Sequence, residues 1–288
     1  MSQDTTPWVW MDGTPVPAAE ATVSVFDRSF LYGDGLFETI RVYRGVPFRW
    51  EQHFQRLTAG ASFLGITLRW TADQLEAAAR DLIARNQLPE SLLRITLSRG
   101  VGVRGYSTRG ADHPRLILTL HPAAAVNPEQ VRPWKLVTAS IRIPTGDRLA
   151  TFKSNNKLAQ ILARSEAEAR GADEALLLNT DGRFAEAASS NLFWIEGEVL
   201  CTTPTAEGLL AGVTRAFILE LARGLGWSLA ERSCRIWQLQ QASAVFLTAC
   251  SFEILPASHL DGAELRQSGR VLELHRAYQR AVHEGSPA

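Results

Sequence analysis

The 288-residue sequence reads as an α+β protein of two domains. Three observations predict this. Short alternating strands and amphipathic helices are mixed without regular βαβ alternation, which argues against a doubly wound sheet. A stretch rich in proline and alanine, Pro122 to Pro133, interrupts the pattern and reads as a connection between two folding units. Hydrophobic residues make up 45% of the chain, ample for a core on each side of that connection. The expected division is a small unit at 1–122, a linker at 123–133 and a larger unit at 134–288.

Trp8 to Pro17 predicts a short hairpin about Asp12-Gly13. Gly33-Asp34-Gly35 is a turn that feeds a strand in which Phe37, Thr39, Arg41 and Tyr43 share one face, while Leu36, Ile40 and Val42 share the other with Glu38. A polar row among aromatics suits either a cavity wall or an ordinary half-buried strand. Phe54, Leu57, Ala61 and Leu64 recur at helical spacing, and Thr71 stands three residues before Gln74 in a capping-box arrangement, so two amphipathic helices follow. Strands are expected at LLRITLSRG and PRLILTLHP, joined by a loop rich in glycine and arginine. After the connection come strand WKLVTAS, helix SNNKLAQILARSEAEARG with Leu158, Ile161 and Leu162 as its buried stripe, strand EALLLN, a single strand RFAEAASSNLFWI, strand VLCTTP and helix VTRAFILELARGLG. Strand SAVFLTAC and a helix from Arg270 to His283 complete the pattern.

The formal net charge is zero, without long runs of like charge, which argues against an electrostatic nucleic-acid or membrane surface. A small molecule or another subunit is the expected partner. No stretch has the length and apolarity of a membrane span, and the N-terminus lacks a basic segment followed by an apolar run. Cys201, Cys234 and Cys250, without metal-ligand spacing, suggest a reducing cytoplasm.

Of 30 lysine and arginine residues, only Lys135, Lys153 and Lys157 are lysine. Arginine is the default cation of this chain. It cannot lose its proton near neutrality and attack a carbonyl as an amine, as lysine can. Lys153 lies where a strand or loop feeds a helix, a junction able to point an amine into a cleft, and the competing reading is a solvated helix start. Glu186 sits amid small, mainly apolar neighbours, either at a strand edge or as a buried partner for a protonated nitrogen. Gly212-Val213-Thr214 opens a helix whose amides suit a phosphate, with Arg56 as a possible countercharge. Arg99, Arg104 and Arg109 with Tyr106 offer a carboxylate receptor or a flexible surface loop. His53 and Cys250 belong to no recognisable nucleophilic constellation.

Arg56, Lys153, Glu186 and Gly212-Val213-Thr214 resemble, in order and spacing, the class IV aminotransferase family, the fold type IV pyridoxal phosphate enzymes. FLYGDGLFETIRVYRG, HFQRL, FKSNNKL, FAEAASSNLFWI, LLAGVTR and EILPASHLDG carry the same resemblance from about Asp12 to Gly262. It implies a two-domain homodimer with pyridoxal 5'-phosphate between the domains. Lys153 would form the Schiff base and shuttle a proton, and Glu186 would pair with the ring nitrogen. Arg56, Gly212, Val213 and Thr214 would hold the phosphate, Leu210 would lie beneath the ring, and Ser189, Ser190 and Asn191 would run along its edge. Phe37, Arg41, Arg104 and Tyr106 would face the substrate, and the loop of Arg104 and Tyr106 would reach the neighbouring subunit's site.

SRGVGVRGYST, NLFW, the spacing of Lys153 to Leu158 and the cavity-facing Thr39 look like aminodeoxychorismate lyase, in which Thr39 would help move protons. EAASSN and GVTR look more like D-amino-acid transaminases, and Glu253 points towards transaminases rather than lyases, so the alternative is a transaminase acting on D-amino acids, branched-chain amino acids or (R)-amines. Cys250 stands where transaminases carry a threonine that touches the phosphate. The lyase is the first expectation, the transaminase the alternative, and an inactive binding protein of the same fold a remote one. Lys157 has no role in either reading.

Overall fold

In the computed structural model, which describes residues 7–284, the chain divides into two compact units. The first comprises the chain up to Ala125 together with Phe152–Asn156, and the second comprises Val126–Thr151 and everything from Lys157. The crossing at Ala125 falls inside the proline-rich connection. The return at Phe152 has no compositional mark, and it assigns Lys153 to the first unit.

In the first unit the expected hairpin is β1 (Trp8–Met11) and β2 (Thr14–Pro17), followed by the short α1 (Arg28–Tyr32), β3 (Gly35–Tyr43) and β4 (Val46–Pro47). Helices α2 (Trp50–Leu64) and α3 (Ala72–Asn86) precede β5 (Ser91–Ser98) and β6 (Arg115–Pro122). The Thr71 hydroxyl accepts from the Gln74 N–H and the Gln74 side chain accepts from the Thr71 N–H, which satisfies two otherwise orphaned amides at the start of α3. All six strands form one antiparallel sheet in the order β2-β1-β6-β5-β3-β4. Alternation decides its two faces. Leu36, Ile40, Leu93, Ile95, Leu97, Leu116 and Leu118 are buried in one core with Leu57 of α2 and with Leu75 and Leu82 of α3, each such side chain stabilising by about 1.5–3 kcal/mol. Phe37, Thr39, Arg94 and Thr96 alternate with them and are only half-buried.

The second unit runs β7 (Trp134–Ile143), α4 (Leu158–Ala169), β8 (Glu174–Asn179), β9 (Phe184–Ala187), β10 (Asn191–Glu196) and β11 (Val199–Thr202). It continues with α5 (Val213–Gly224), β12 (Ser228–Glu231), α6 (Ile236–Gln241), β13 (Ala244–Ala249), β14 (Glu253–Leu260), β15 (Ala263–Glu264) and α7 (Gly269–Glu284). The strand order is β12-β11-β10-β13-β14-β7-β8-β9, with β15 on β14. β9 ends that order five places from β10, a distance of about 24 Å in a flat sheet. Only Ala188, Ser189 and Ser190 join the two strands, and they span at most about 14 Å. The sheet therefore curls on itself, closed at that turn, where the Ala187 N–H donates to the Ser190 carbonyl at 3.0 Å.

Two expectations change here. RFAEAASSNLFWI is two strands, because the chain leaves the β8 ladder at Ala187 and enters the β13 ladder at Asn191. Helix α4 does not bury Leu158, Ile161 and Leu162, which are 69%, 61% and 50% exposed. Its buried residues are Ala163 and Ala167, whose small side chains let the helix lie close on Val137, Ala175 and Leu177 of the sheet.

Candidate functional site

Lys153 is positioned by β3. Its carbonyl accepts from the Phe37 N–H at 2.8 Å, Ser154 forms a bridge with Leu36, and the Asn155 N–H donates to the Gly35 carbonyl at 3.0 Å. This close approach explains Gly35, where a Cβ would stand 2.7 Å from Asn155 Nδ2 and 2.5 Å from the Leu97 carbonyl. Phe152 stacks on Phe63 with ring centroids 4.3 Å apart. Held from both sides, Lys153 places its ammonium 4.6 Å from the centroid of the Phe37 ring. Arg94, across the β3–β5 ladder from Thr39, lies 4.0 Å from the same centroid and donates from Nε to the Thr96 hydroxyl. Burial pulls the Arg94 guanidinium below its ordinary pKa. The half-buried face of β3 and β5 thus gathers an amine, a guanidinium, two hydroxyls and an aromatic ring.

On the opposite, core face of β3, Glu38 meets two residues one turn apart on α2. Arg56 donates to it from Nε at 2.8 Å and from Nη2 at 2.6 Å, and His53 Nδ1 lies 2.7 Å from Oε2. Burial alone pushes the Glu38 carboxyl up, but the Arg56 guanidinium and His53 overcome it and hold the group at about 2. Burial also lowers the His53 pKa, against the pull of Glu38. The imidazole is therefore neutral, donating its Nδ1 proton to the carboxylate.

In the second unit Glu186, buried on β9, accepts from the Leu210 N–H at 3.1 Å and from Gln160 Nε2 at 3.3 Å. Leu210 in turn accepts from Asn191 Nδ2 at 2.9 Å. Asn191 packs so closely on Gly212, the N-cap of α5, that a Cβ there would stand 2.0 Å from Asn191 Oδ1. Only glycine fits. Val213 and Thr214 follow as the first buried residues of α5, whose opening amides have no partner within the helix. Buried nearby in sequence and ladder, Ser190 Oγ and Thr248 Oγ1 have no hydrogen-bond partner among the described residues. Unpaired hydroxyls flanking a helix start suit a phosphate, and a fixed buried carboxylate suits a protonated ring nitrogen. These residues fit pyridoxal phosphate.

The remaining expected residues are engaged elsewhere to different degrees. Ser189 donates to the buried Glu174, and Cys250 lies two residues beyond Thr248, partly exposed. Arg41 is 1% exposed, and its Nη2 donates to the Ala124 carbonyl at 2.8 Å and meets Glu90 at 3.4 Å. Arg99 is buried against Asp34 and the carbonyls of Leu64 and Gly65, so it does not join Arg104 and Arg109 in an exposed fork. Arg104 is exposed and Tyr106 is 89% exposed on a loop whose backbone is tied down by Arg28. Glu253, with φ of 64°, is buried against His275 and Gln279 of α7, a structural role that says nothing of substrate. Arg94, Gln160 and the Glu38–His53–Arg56 cluster escaped the sequence reading. Alternation in LLRITLS put Arg94 on the open face, and an acid in an apolar row followed by His-x-x-Arg on the next helix was the signal for the cluster.

The model of the amino-transferase class IV family matches residues 35–260. A putative branched-chain-amino-acid aminotransferase of Methanocaldococcus jannaschii is 32% identical over 91% of this chain and 92% of its own length. The aminodeoxychorismate lyase of Bacillus subtilis is 27% identical over 96% of each chain. Among solved structures, the branched-chain aminotransferase of the thermophilic archaeon Thermoproteus uzoniensis with norvaline has a TM-score of 0.91 at 29% identity, covering 98% of this chain and 96% of the other. Another branched-chain amino acid aminotransferase of this fold is solved with pyridoxamine 5'-phosphate.

Proposed function

The chain belongs to the class IV aminotransferase family and is a pyridoxal phosphate-dependent enzyme, and on that premise we propose that it is a lyase converting 4-amino-4-deoxychorismate to 4-aminobenzoate and pyruvate. The observation that carries this reading is Thr39, half-buried on the open face of β3, two residues from Phe37 and directly across from Arg94. The reaction breaks the C–H bond beside the substrate amine and the C–O bond to enolpyruvate on the neighbouring carbon. It therefore needs a proton-handling group besides the base.

Bound pyridoxal phosphate supplies the sink for the electrons released when that C–H bond breaks. Lys153 Nζ, steadied over Phe37, would hold the cofactor's aldehyde carbon and serve as the base for the proton on the substrate carbon. Glu186, its oxygens fixed by Leu210 and Gln160, would hold the proton at the ring nitrogen. The start of α5 with Ser190 and Thr248 would hold the phosphate, and the family resemblance gives Arg56, which Glu38 orients, the same role. Thr39, about 7 Å along the strand from Phe37, passes a proton towards the departing oxygen. The substrate carries two carboxylates, and Arg94 and Arg104 supply two cations. By the family resemblance Leu210 and Asn191 would lie along the cofactor, and Phe37 and Tyr106 would face the substrate.

A transaminase is the second reading, favoured by the 32% identity to the Methanocaldococcus jannaschii protein against 27% to the Bacillus subtilis lyase. It needs only the Lys153 base and one carboxylate receptor. Purified protein given aminodeoxychorismate should release fluorescent 4-aminobenzoate. Complete conversion of the cofactor to its amine form by D-alanine or L-leucine, with no aromatic product, would replace the lyase by the transaminase. We also assign a homodimer, supported by exposed apolar side chains about α1 (Val25, Phe26, Phe30) and in the loop after β5 (Val101, Val103), and light scattering at twice the chain mass tests it. A cytoplasmic setting is supported by three cysteines outside any disulfide. No described helix is long and apolar enough to cross a membrane.

A further inference from the structure

Lys157 is one of three lysines in a chain that otherwise uses arginine, and the reaction just described leaves it without a task. It is the residue preceding α4, half-buried, and Gln160 follows it by three residues on the same side of the helix start. Gln160 reaches Glu186 Oε1 at 3.3 Å, while the Leu210 N–H takes Oε2 from the other side. The start of α4 therefore faces the carboxylate that pairs with the cofactor nitrogen.

We infer that Lys157 is a positioning residue for the electron sink: its point charge beside Glu186 sets how firmly that carboxylate keeps the ring nitrogen protonated. The inference rests on the cofactor reading above and deepens it. Burial lowers the Lys157 pKa, and the Glu186 charge offsets part of that lowering. The other charges on the elements around Glu186 are matched among themselves. Arg164 meets Glu174 at 3.5 Å, and Arg183 pairs with Glu207 and Asp181 at 2.8 Å each.

The sign follows from charge alone. A carboxylate raises the basicity of the pyridine nitrogen, and a cation next to that carboxylate lowers it again. Lys157 thus moderates the pull of the ring. Lysine suits this task where arginine does not, because a guanidinium fork takes both oxygens of a carboxylate at once. An ammonium acts on Glu186 without occupying the face that the nitrogen needs.

The test uses holoenzyme loaded with pyridoxal phosphate isotopically labelled at its ring nitrogen. Nuclear magnetic resonance then reads the protonation of that atom against pH in the parent, in Lys157→Met and in Lys157→Arg. With the methionine, the nitrogen should stay protonated to a pH about one unit higher. With the arginine, it should lose its proton at a lower pH than in the parent. A nitrogen that titrates alike in the parent and Lys157→Met overturns the inference and leaves the function intact. Borohydride reduction mapped by mass spectrometry separates the other failure. If no cofactor is trapped on Lys153 in the parent, the function itself falls, and the inference falls with it.

Discussion

Replacing Arg56 with methionine tests the cluster that ties α2 to β3, the strand that positions Lys153. Glu38 is 1% exposed, and its carboxyl is held at about 2 against an ordinary 4.5. At about 1.4 kcal/mol per pH unit, that displacement corresponds to about 3 kcal/mol of stability at neutral pH. Removing Arg56 leaves a buried carboxylate with His53 alone, and breaking such a pair costs about 3–5 kcal/mol. At about 2–4 °C per kcal/mol, the melting temperature should fall by about 6–20 °C. The assay is thermal unfolding followed by circular dichroism, at pH 7, in the parent, Arg56→Met, Glu38→Gln and the double variant. Once Glu38 is neutral, Arg56→Met should cost about 1 kcal/mol or less, because no buried charge is stranded. The pH dependence has a fixed sign. Glu38 and His53 both titrate lower in the folded protein than in the unfolded chain, so the folded state binds fewer protons. Stability that is complete above pH 6.5 should decline as His53 and then Glu38 are driven to protonate, with the Glu38 share lost from pH 4.5 towards 2. Additive effects in the four-protein cycle, or parent stability that is flat between pH 5 and 3, refute the argument.

Lys153→Arg keeps a cation over Phe37 but removes the nucleophile, so turnover should drop by on the order of 10³ and borohydride should fix no cofactor to the chain. Arg94→Leu should raise KM for a dianionic substrate by about 10–100-fold at unchanged melting temperature, the loss of a charge-assisted hydrogen bond on a half-buried face. Steady-state kinetics and a melt on the same sample decide it. Asp34→Asn strands two buried arginines, Arg28 and Arg99, and should speed tryptic cleavage after Arg104 by at least about tenfold, read by mass spectrometry of the fragments.

Much of the fold was legible because local signals agreed with burial. The Asp12-Gly13 hairpin, the Thr71 capping box, the alternation of β3 as far as Ile40 and the limits of α5 and α7 all depend on residues close in sequence. What failed depended on partners far away. Leu158, Ile161 and Leu162 have the spacing of a buried stripe, but the sheet beneath α4 accepts only the alanine face, and no local pattern reveals which face a sheet will take. The break at Ala188–Ser190 is invisible in an apolar run, since it exists to pass the chain from one ladder to another. Lys153 and Glu186 were singled out by sequence as candidates, through a rare lysine and an isolated acid. Gln160 was not, because a glutamine on a helix has no signature until its carboxylate partner is known.

Gly33-Asp34-Gly35 shows how one short turn can set two functional elements at once. Its glycines admit the segment carrying Lys153. At Gly33, with φ of 69°, a Cβ would stand 2.5 Å from Asn156 Oδ1, and at Gly35 it would meet Asn155. Asp34, between them, accepts from Arg28 Nε and Arg99 Nε, both at 2.8 Å, and although burial opposes ionisation the two arginines hold its carboxyl below the ordinary range. Arg28 then directs its remaining donors to the carbonyls of Gly105 and Ser107, at 2.9 and 3.0 Å, while Tyr32 accepts from the Gly105 N–H. The glycine-rich loop that reads as mobile is thus fixed along its backbone, while the side chains of Arg104 and Tyr106 extend from it into solvent. A larger residue at Gly33 or Gly35 displaces the amine, and a neutral one at Asp34 releases the loop. Both Lys153 and the loop that carries Arg104 therefore take their positions from these three adjacent residues.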